Sequence, residues 1–228
     1  MTIPAQLAGD LEALYAQFER YRPRGPIGHS PLKPPTVVAA LQAKALRDLN
    51  ADDFRGYSGS AVWTVGSADD FKYFFPRMAE LALHEVVGAS GWSSWALRLA
   101  PTLATPDEIS VVKSFFRALW RSALSSYWDL IRVDTLDLLV ALGYVFGEVQ
   151  EFVLAFEPCP TRQAALHLRD ICAHGSAEVC EASPPIDAWF ATAARRALVN
   201  SIATFPPLDS GEAVWCSIAT KNLEEMGG

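Results

Sequence analysis

Thr105-Pro106-Asp107-Glu108-Ile109-Ser110-Val111-Val112-Lys113-Ser114-Phe115-Phe116-Arg117-Ala118-Leu119-Trp120 and, a little further on, Asp134-Thr135-Leu136-Asp137-Leu138-Leu139-Val140-Ala141-Leu142-Gly143-Tyr144-Val145-Phe146 decide the fold class. The first stretch opens with a capping residue, a proline suited to a first helical turn, and two acids at the positive end of the helix dipole. Ile109, Val112, Phe116, Leu119 and Ala123 then recur at helical spacing, with Phe115 and Trp120 widening that face. In the second stretch Asp134 supplies a cap, and the residues from Leu136 to Phe146 are apolar nearly all round. Such a helix is buried between neighbours, so the spacing predicts the centre of the core there, with Trp120, Trp128 and Trp189 nearby.

Helical spacing continues outward in both directions. Leu7, Leu11, Leu14, Phe18 and Tyr21 form one stripe on an opening helix. Residues 22–36 carry five prolines with Gly25 and Gly28, which predicts a non-helical connector. A helix from Pro35 to about Leu49 and another from about Ala51 through Val65 are expected next. Within the latter, Gly56, Ser58, Gly59 and Ser60 read as a site of close helix–helix approach. Ser67 and Asp70 resemble a capping box, and Pro76 predicts a break between a short turn over 68–74 and a fresh helix to about Val87. Residues 88–95 read as a loop or a short element. Thr161 starts a helix that runs to Cys172. Pro184 and Pro185 precede one carrying Trp189, Phe190, Ala193, Ala197 and Ile202. Ser210 caps a last one carrying Val214, Trp215, Ile218 and Met226. No stretch alternates long enough for a sheet, and no residue-level repeat emerges at helical-repeat periods of roughly 33 to 47. The expectation is an all-α single domain over 1–228: an irregular multi-helix domain or a degenerate HEAT-like α-solenoid of nine or ten helices.

The chain has 228 residues, 50% hydrophobic and 20% charged, which excludes intrinsic disorder. No apolar run approaches the ~20 residues that a bilayer span requires, and the first residues lack a signal-peptide pattern. A cytoplasmic protein without a membrane partner is expected. Its net charge of −7 is unevenly distributed. Val133–Phe190 holds Asp134, Asp137, Glu148, Glu151, Glu157, Asp170, Glu178, Glu181 and Asp187 against only Arg162 and Arg169. Arg20, Arg22, Arg24, Lys33, Lys44 and Arg47 form a run with no acid between them. An acidic chain gains little from phosphate-backbone counterion release, so nucleic acid is not the expected partner.

The candidate chemistry thins on inspection. Cys159, Cys172, Cys180 and Cys216 read as thiols. His167, Cys172, His174 and Cys180 are dense enough to suggest zinc, but their spacing lacks the usual paired-ligand units, and Cys172 continues an apolar stripe. His84-Glu85 has Gly88 where a zincin needs histidine. Gly56-Tyr57-Ser58-Gly59-Ser60 misses the last glycine of a nucleophile elbow and the strand before it. No phosphate-binding glycine motif is present, and no cofactor is expected.

Trp63-Thr64-Val65-Gly66-Ser67-Ala68-Asp69-Asp70-Phe71-Lys72-Tyr73-Phe74-Phe75-Pro76-Arg77 resembles a signature of uncharacterised bacterial proteins, of the form T-V-G-x-x-D-D-[FY]-[KR]-x-F-[FL]-P-R. The resemblance implies a bacterial source and no particular activity. Asp69, Asp70 and Arg77 are its possible motif site, with Arg77 expected to pair with one of the two carboxylates.

These readings converge on a non-enzymatic interaction protein, in its most concrete form an immunity protein that neutralises a basic toxin. The partner-binding face would be acidic: Glu148, Glu151, Glu157, Asp170 and Glu178. The competing expectation is an enzyme whose site is assembled from dispersed residues, with His84, His167, His174, Asp69, Asp70 and Arg77 as candidates.

Overall fold

The computed structural model describes residues 3–84, 87, 91–126, 133–156, 158, 161–174, 189 and 193–226. Its helices are α1 (Ala5–Phe18), α2 (Thr36–Ala43), α3 (Ala68–Ala82), α4 (Trp92–Leu99), α5 (Pro106–Ser125), α6 (Thr135–Phe146), α7 (Gln150–Val153), α8 (Arg162–His174), α9 (Arg195–Thr204) and α10 (Ser210–Met226). The described residues contain no strand; the isolated bridges His29–Val65 and Ala61–Val65 are the nearest approach to one. No helix among them is long and apolar enough to cross a membrane.

Capping chemistry fixes several helix starts. Thr105 accepts from the Glu108 amide while Glu108 reaches back to the Thr105 amide, closing a capping box on α5. The Asp134 carboxylate accepts from the amides of Leu136 and Asp137 at the head of α6. The Thr161 hydroxyl accepts from Ala164 before α8. On α10 the cap is Asp209, which accepts from Glu212, rather than Ser210.

Helix α6 shares the centre of the described core with α5. Helix α5 packs on α1 along one side and on α6 and α8 along the other. Helix α6 leans chiefly on α4 and buries Leu138, Leu139, Ala141, Leu142 and Val145, leaving Leu136, Val140, Tyr144 and Phe146 only partly covered. Hydropathy all round a helix does not reveal which side meets solvent. The α1–α5 and α4–α6 contacts skip intervening helices, which a stack of nearest-neighbour repeats does not do, so the arrangement is irregular. Trp120 packs on Phe152 and Phe156, and Trp189 on Phe156. Trp128, Phe190 and the side chain of Met226 lie outside the described residues.

Four stretches depart from the expected helices. Helix α3 runs unbroken through Pro76. An interior proline costs about 3 kcal/mol, but Phe71, Phe74, Phe75, Met78 and Ala79 are buried on both sides of it, and each large side chain contributes about 1.5–3 kcal/mol. Helix α2 stops at Ala43, and residues 51–65 form a 3₁₀ turn (Asp52–Phe54) followed by further turns rather than a helix. Residues 92–99 are helical where a loop was a possible reading. On α10 the buried positions are Cys216, Ala219 and Leu223, so Val214, Trp215 and Ile218 face outward.

Candidate functional site

The non-helical segments 22–35 and 55–67 meet on one side of the molecule. Gly56 (φ 94°) and Gly66 (φ 67°) bracket the second segment in the left-handed region, where a missing Cβ removes the steric penalty. Tyr57, fully buried, packs its ring on Phe54 and Phe74. Arg98 reaches from α4 with 4% exposure and donates to the carbonyls of Ser58 (2.6 Å) and Ala61 (3.4 Å). A guanidinium suits this role because its rigid fork of donors can hold several carbonyls at once. The Gly56–Ser60 segment is therefore a turn held by α4, not a helix–helix contact. Ser58 is completely buried, which removes it as a nucleophile.

The proline-rich segment docks on this loop through its backbone. Ser30 donates to Thr64 O and Gly66 donates to Gly28 O, both at 2.7 Å. Two residues before the first of these anchors Val62 stands at φ 71°, the one non-glycine residue with positive φ among the described residues. A β-branched residue there carries about 1–2 kcal/mol of backbone strain. The next residue, Trp63, is 74% exposed.

Beside Trp63 lies a cleft of about 540 Å³, walled by Pro26, His29 and Ser30 on one side and by Trp63, Ser67 and Asp70 on the other. No lysine or arginine lines it. Asp70 Oδ2 accepts from the Ser67 amide (2.7 Å) and hydroxyl (2.8 Å), whereas Oδ1 accepts from no described residue. His29 Nδ1 lies 3.1 Å from Ser30 O; a carbonyl only accepts, so Nδ1 is the donor of this bond. His29 makes no hydrogen bond to Ser67 or Asp70 among the described residues, and the Ser67 hydroxyl is spent on the Asp70 carboxylate within the α3 cap. It offers an aromatic face, a carboxylate and neutral hydrogen-bonding groups, which together suit a cationic group.

Of Asp69, Asp70 and Arg77, only Asp70 lines the cleft. Asp69 is exposed on the first turn of α3. Arg77 does not pair with either aspartate; it donates to Leu49 O (2.7 Å) and to Glu80 (2.6 Å), which also accepts from Tyr15. Burial opposes the Glu80 charge, but these hydrogen bonds hold its carboxyl below the usual range.

Of the proposed acidic face, Glu151 is engaged by another element and Glu148 is not, and two neighbouring acids of the same run serve as helix caps. Asp134 caps α6, and Asp137 accepts from the Trp92 and Ser93 amides at the head of α4. Glu151 pairs with Arg117 at 3.0 Å. Asp170 is half-buried on α8, while Glu148 is exposed after α6 and has no partner among the described residues. Arg162 and Arg169 pair with Glu212 of α10, not with the acidic run. Glu157 and Glu178 lie outside the described residues.

The dispersed histidines stay dispersed. His167 is 2% exposed, between Thr135 Oγ1 and Ser126 O (2.9 Å), and burial pulls its pKa down. It is a core residue whose Nε2–H donates to the carbonyl. His174 bonds Asp170 O and packs on Trp215, and His84 follows α3. Cys172 is fully buried, and burial pushes its thiol pKa far up. Cys159 and Cys180 lie outside the described residues, and no group of three potential metal ligands occurs among the described ones.

His29 and Arg98 carry no signal of their own in the sequence, and Trp63 stands there only as the first residue of the resembling segment. The available signal was the spacing of Gly56, Gly59 and Gly66 with intervening serines, which marks turns more strongly than the aromatic content marks helix. Comparisons with protein-family models, curated proteins and solved structures give no match for this chain.

Proposed function

We propose that this protein is a non-enzymatic recognition module for a basic protein partner, and that the cleft beside Trp63 receives an arginine or lysine side chain of that partner. The observation that carries this reading is Trp63 itself, 74% exposed and projected from a strained Val62 beside the Asp70 carboxylate. Burying the indole alone would recover about 1.5–3 kcal/mol, yet the loop holds it out at a cost in backbone strain. Tryptophan is enriched among residues that dominate protein interfaces, and its face is the best aromatic partner for a cation. A basic toxin held by its immunity protein is one partner of this chemistry.

The test is a titration of isotope-labelled protein with a Gly-Arg-Gly peptide, following the indole signals; Trp63→Phe identifies the one that matters. The arginine peptide is expected to move the Trp63 signal, and the neutral citrulline analogue to leave it in place. Asp70→Asn should weaken the response several-fold while preserving the α3 cap. If the two peptides act alike, or neither moves that signal, the reading is wrong.

A further inference from the structure

The basic run from Arg20 to Arg47 takes its counter-charges from distant elements. Arg20 pairs with Glu108, Lys44 with Asp53 at 2.7 Å and Arg47 with Glu12 at 2.6 Å. Arg22 meets Glu19 only loosely, at 3.7 Å, and both side chains are more than half exposed. Arg24 is exposed and has no ion-pair or hydrogen-bond partner among the described residues. It stands beside a concavity of about 350 Å³ lined by Arg22, Arg24 and Lys44, with Ile27, Leu41 and Phe74 beneath them and no carboxylate in the lining. A second concavity of about 520 Å³ adjoins it, sharing Arg22 and Tyr73.

Tyr73 is the independent observation. Its side chain comes from α3, it is 6% exposed, and it lines both concavities. Its hydroxyl has no hydrogen-bond partner among the described residues. Burial, reinforced by the nearby Glu19, raises its pKa, so the hydroxyl keeps its proton and remains a donor. The ring is packed away while the hydroxyl, which is not among the fully buried polar atoms, opens onto the two concavities. The donor stands at the junction of a smaller concavity rimmed by Arg22, Arg24 and Lys44 and a larger one in which Glu12 and Glu19 face Arg47 and Arg22.

We infer that this groove binds a small phosphate monoester. Arg22 and Arg24 donate to the phosphate oxygens, the Tyr73 hydroxyl donates a further bond, and the organic part of the ester lies in the larger concavity against Ala16 and Leu46. Guanidinium forks match the oxygens of a phosphate, and a dianion gains more than a carboxylate from two of them. The loose Arg22–Glu19 pair yields readily, because an exposed pair at that distance contributes little. This assignment stands apart from the Trp63 cleft and does not depend on it.

Calorimetric titration at matched ionic strength, with inorganic phosphate and with phenyl phosphate, tests it. Phenyl phosphate is expected to bind at least tenfold more tightly than phosphate, and benzoate at least tenfold less tightly than phenyl phosphate. Arg24→Gln should weaken phenyl phosphate at least tenfold and Tyr73→Phe at least threefold. Neither change disturbs a native contact, so the helical spectrum should stay that of the natural chain. Trp63→Ala should leave the affinity unchanged, which separates this site from the cleft. Equal binding of phosphate and phenyl phosphate overturns the ester in favour of the free anion. Binding that matches chloride, or an Arg24→Gln variant as tight as the natural chain, overturns the site.

Discussion

Glu108 offers the sharpest test of how the N-terminal half is held together. Its side chain is completely buried, yet it serves three elements at once. Oε1 accepts from Arg20 and from the Tyr21 hydroxyl at the end of α1, and Oε2 accepts from the Ala104 amide at 2.7 Å and lies 3.4 Å from Lys72 Nζ of α3. Burial disfavours the charge, but hydrogen bonds from Tyr21, Ala104 and Arg20 prevail and bring its pKa to about 2, against an ordinary 4.5. Linkage gives the ionised form about 2 kcal/mol at neutral pH, after the discount that solvent near the half-exposed Arg20 imposes. Glu108→Gln also leaves the Lys72 ammonium, 4% exposed, without a counter-charge. Breaking one side of such a pair typically costs about 3–5 kcal/mol, which is the loss expected here at neutral pH.

The sign of the pH dependence follows from the lowered pKa. A carboxyl depressed in the folded state stabilises above its unfolded pKa and loses that contribution as pH falls from 4.5 towards 2. Urea denaturation followed by circular dichroism, at neutral pH and at about pH 3, should therefore show a smaller penalty for Glu108→Gln in acid. Adding Lys72→Met to Glu108→Gln should recover at least about 1 kcal/mol, because the uncompensated ammonium is gone. A penalty below about 1 kcal/mol at neutral pH, or one of equal size in acid, would refute the picture of a buried ionic hub.

Two further substitutions probe the α4–α6 contact. At Gly91 an added Cβ would fall 2.8 Å from the Asp137 Cγ, so Gly91→Ala must push away the carboxylate that caps α4; denaturation should show a loss of about 1–3 kcal/mol. Leu139→Ala removes a side chain with no exposure from α6 and should cost about 2–5 kcal/mol by the same measurement. A value below half a kcal/mol at either position would mean that the α4–α6 interface is not closed in solution.

Local chemistry made the helices legible, and long-range chemistry hid the sites. Thr105, Asp134 and Thr161 cap where their sequence context places them, because a cap needs only the next few residues. Glu108 read as a dipole acid for the same reason; its other partners, Arg20, Tyr21 and Lys72, are 88, 87 and 36 positions away. Pro76 read as a break because propensity is local, whereas the burial that overrides it comes from other helices. The run from 133 to 190 read as an acidic face because only Arg162 and Arg169 were near in sequence. Glu151 found Arg117, Asp137 found the head of α4, and both local arginines turned to Glu212. A charge tally along a chain measures composition, while pairing depends on which helices meet.

The two irregular segments explain why the concavities described above lie side by side. A helix satisfies its own backbone and presents side chains on a fixed spacing, so concave surfaces form where helices give way to other backbone. Residues 22–35 cannot continue α1 because proline removes donors and fixes φ. Their backbone must find partners elsewhere, and it does so at Gly28 and Ser30 on the 64–66 loop. Ile27, 4% exposed, pins the segment to the core just before those bonds. The segment thus stands as a shared wall: Pro26, His29 and Ser30 face the Trp63 cleft, while Arg22, Arg24 and Ile27 face the groove over Tyr73. Helix α3 serves both as well, giving Asp70 to the first and Tyr73 to the second. One wall and one helix therefore separate a site suited to a cation from a site suited to an anion. Coupling between them would require two positions of that wall, and its anchors, two 2.7 Å backbone bonds and a buried isoleucine, favour one.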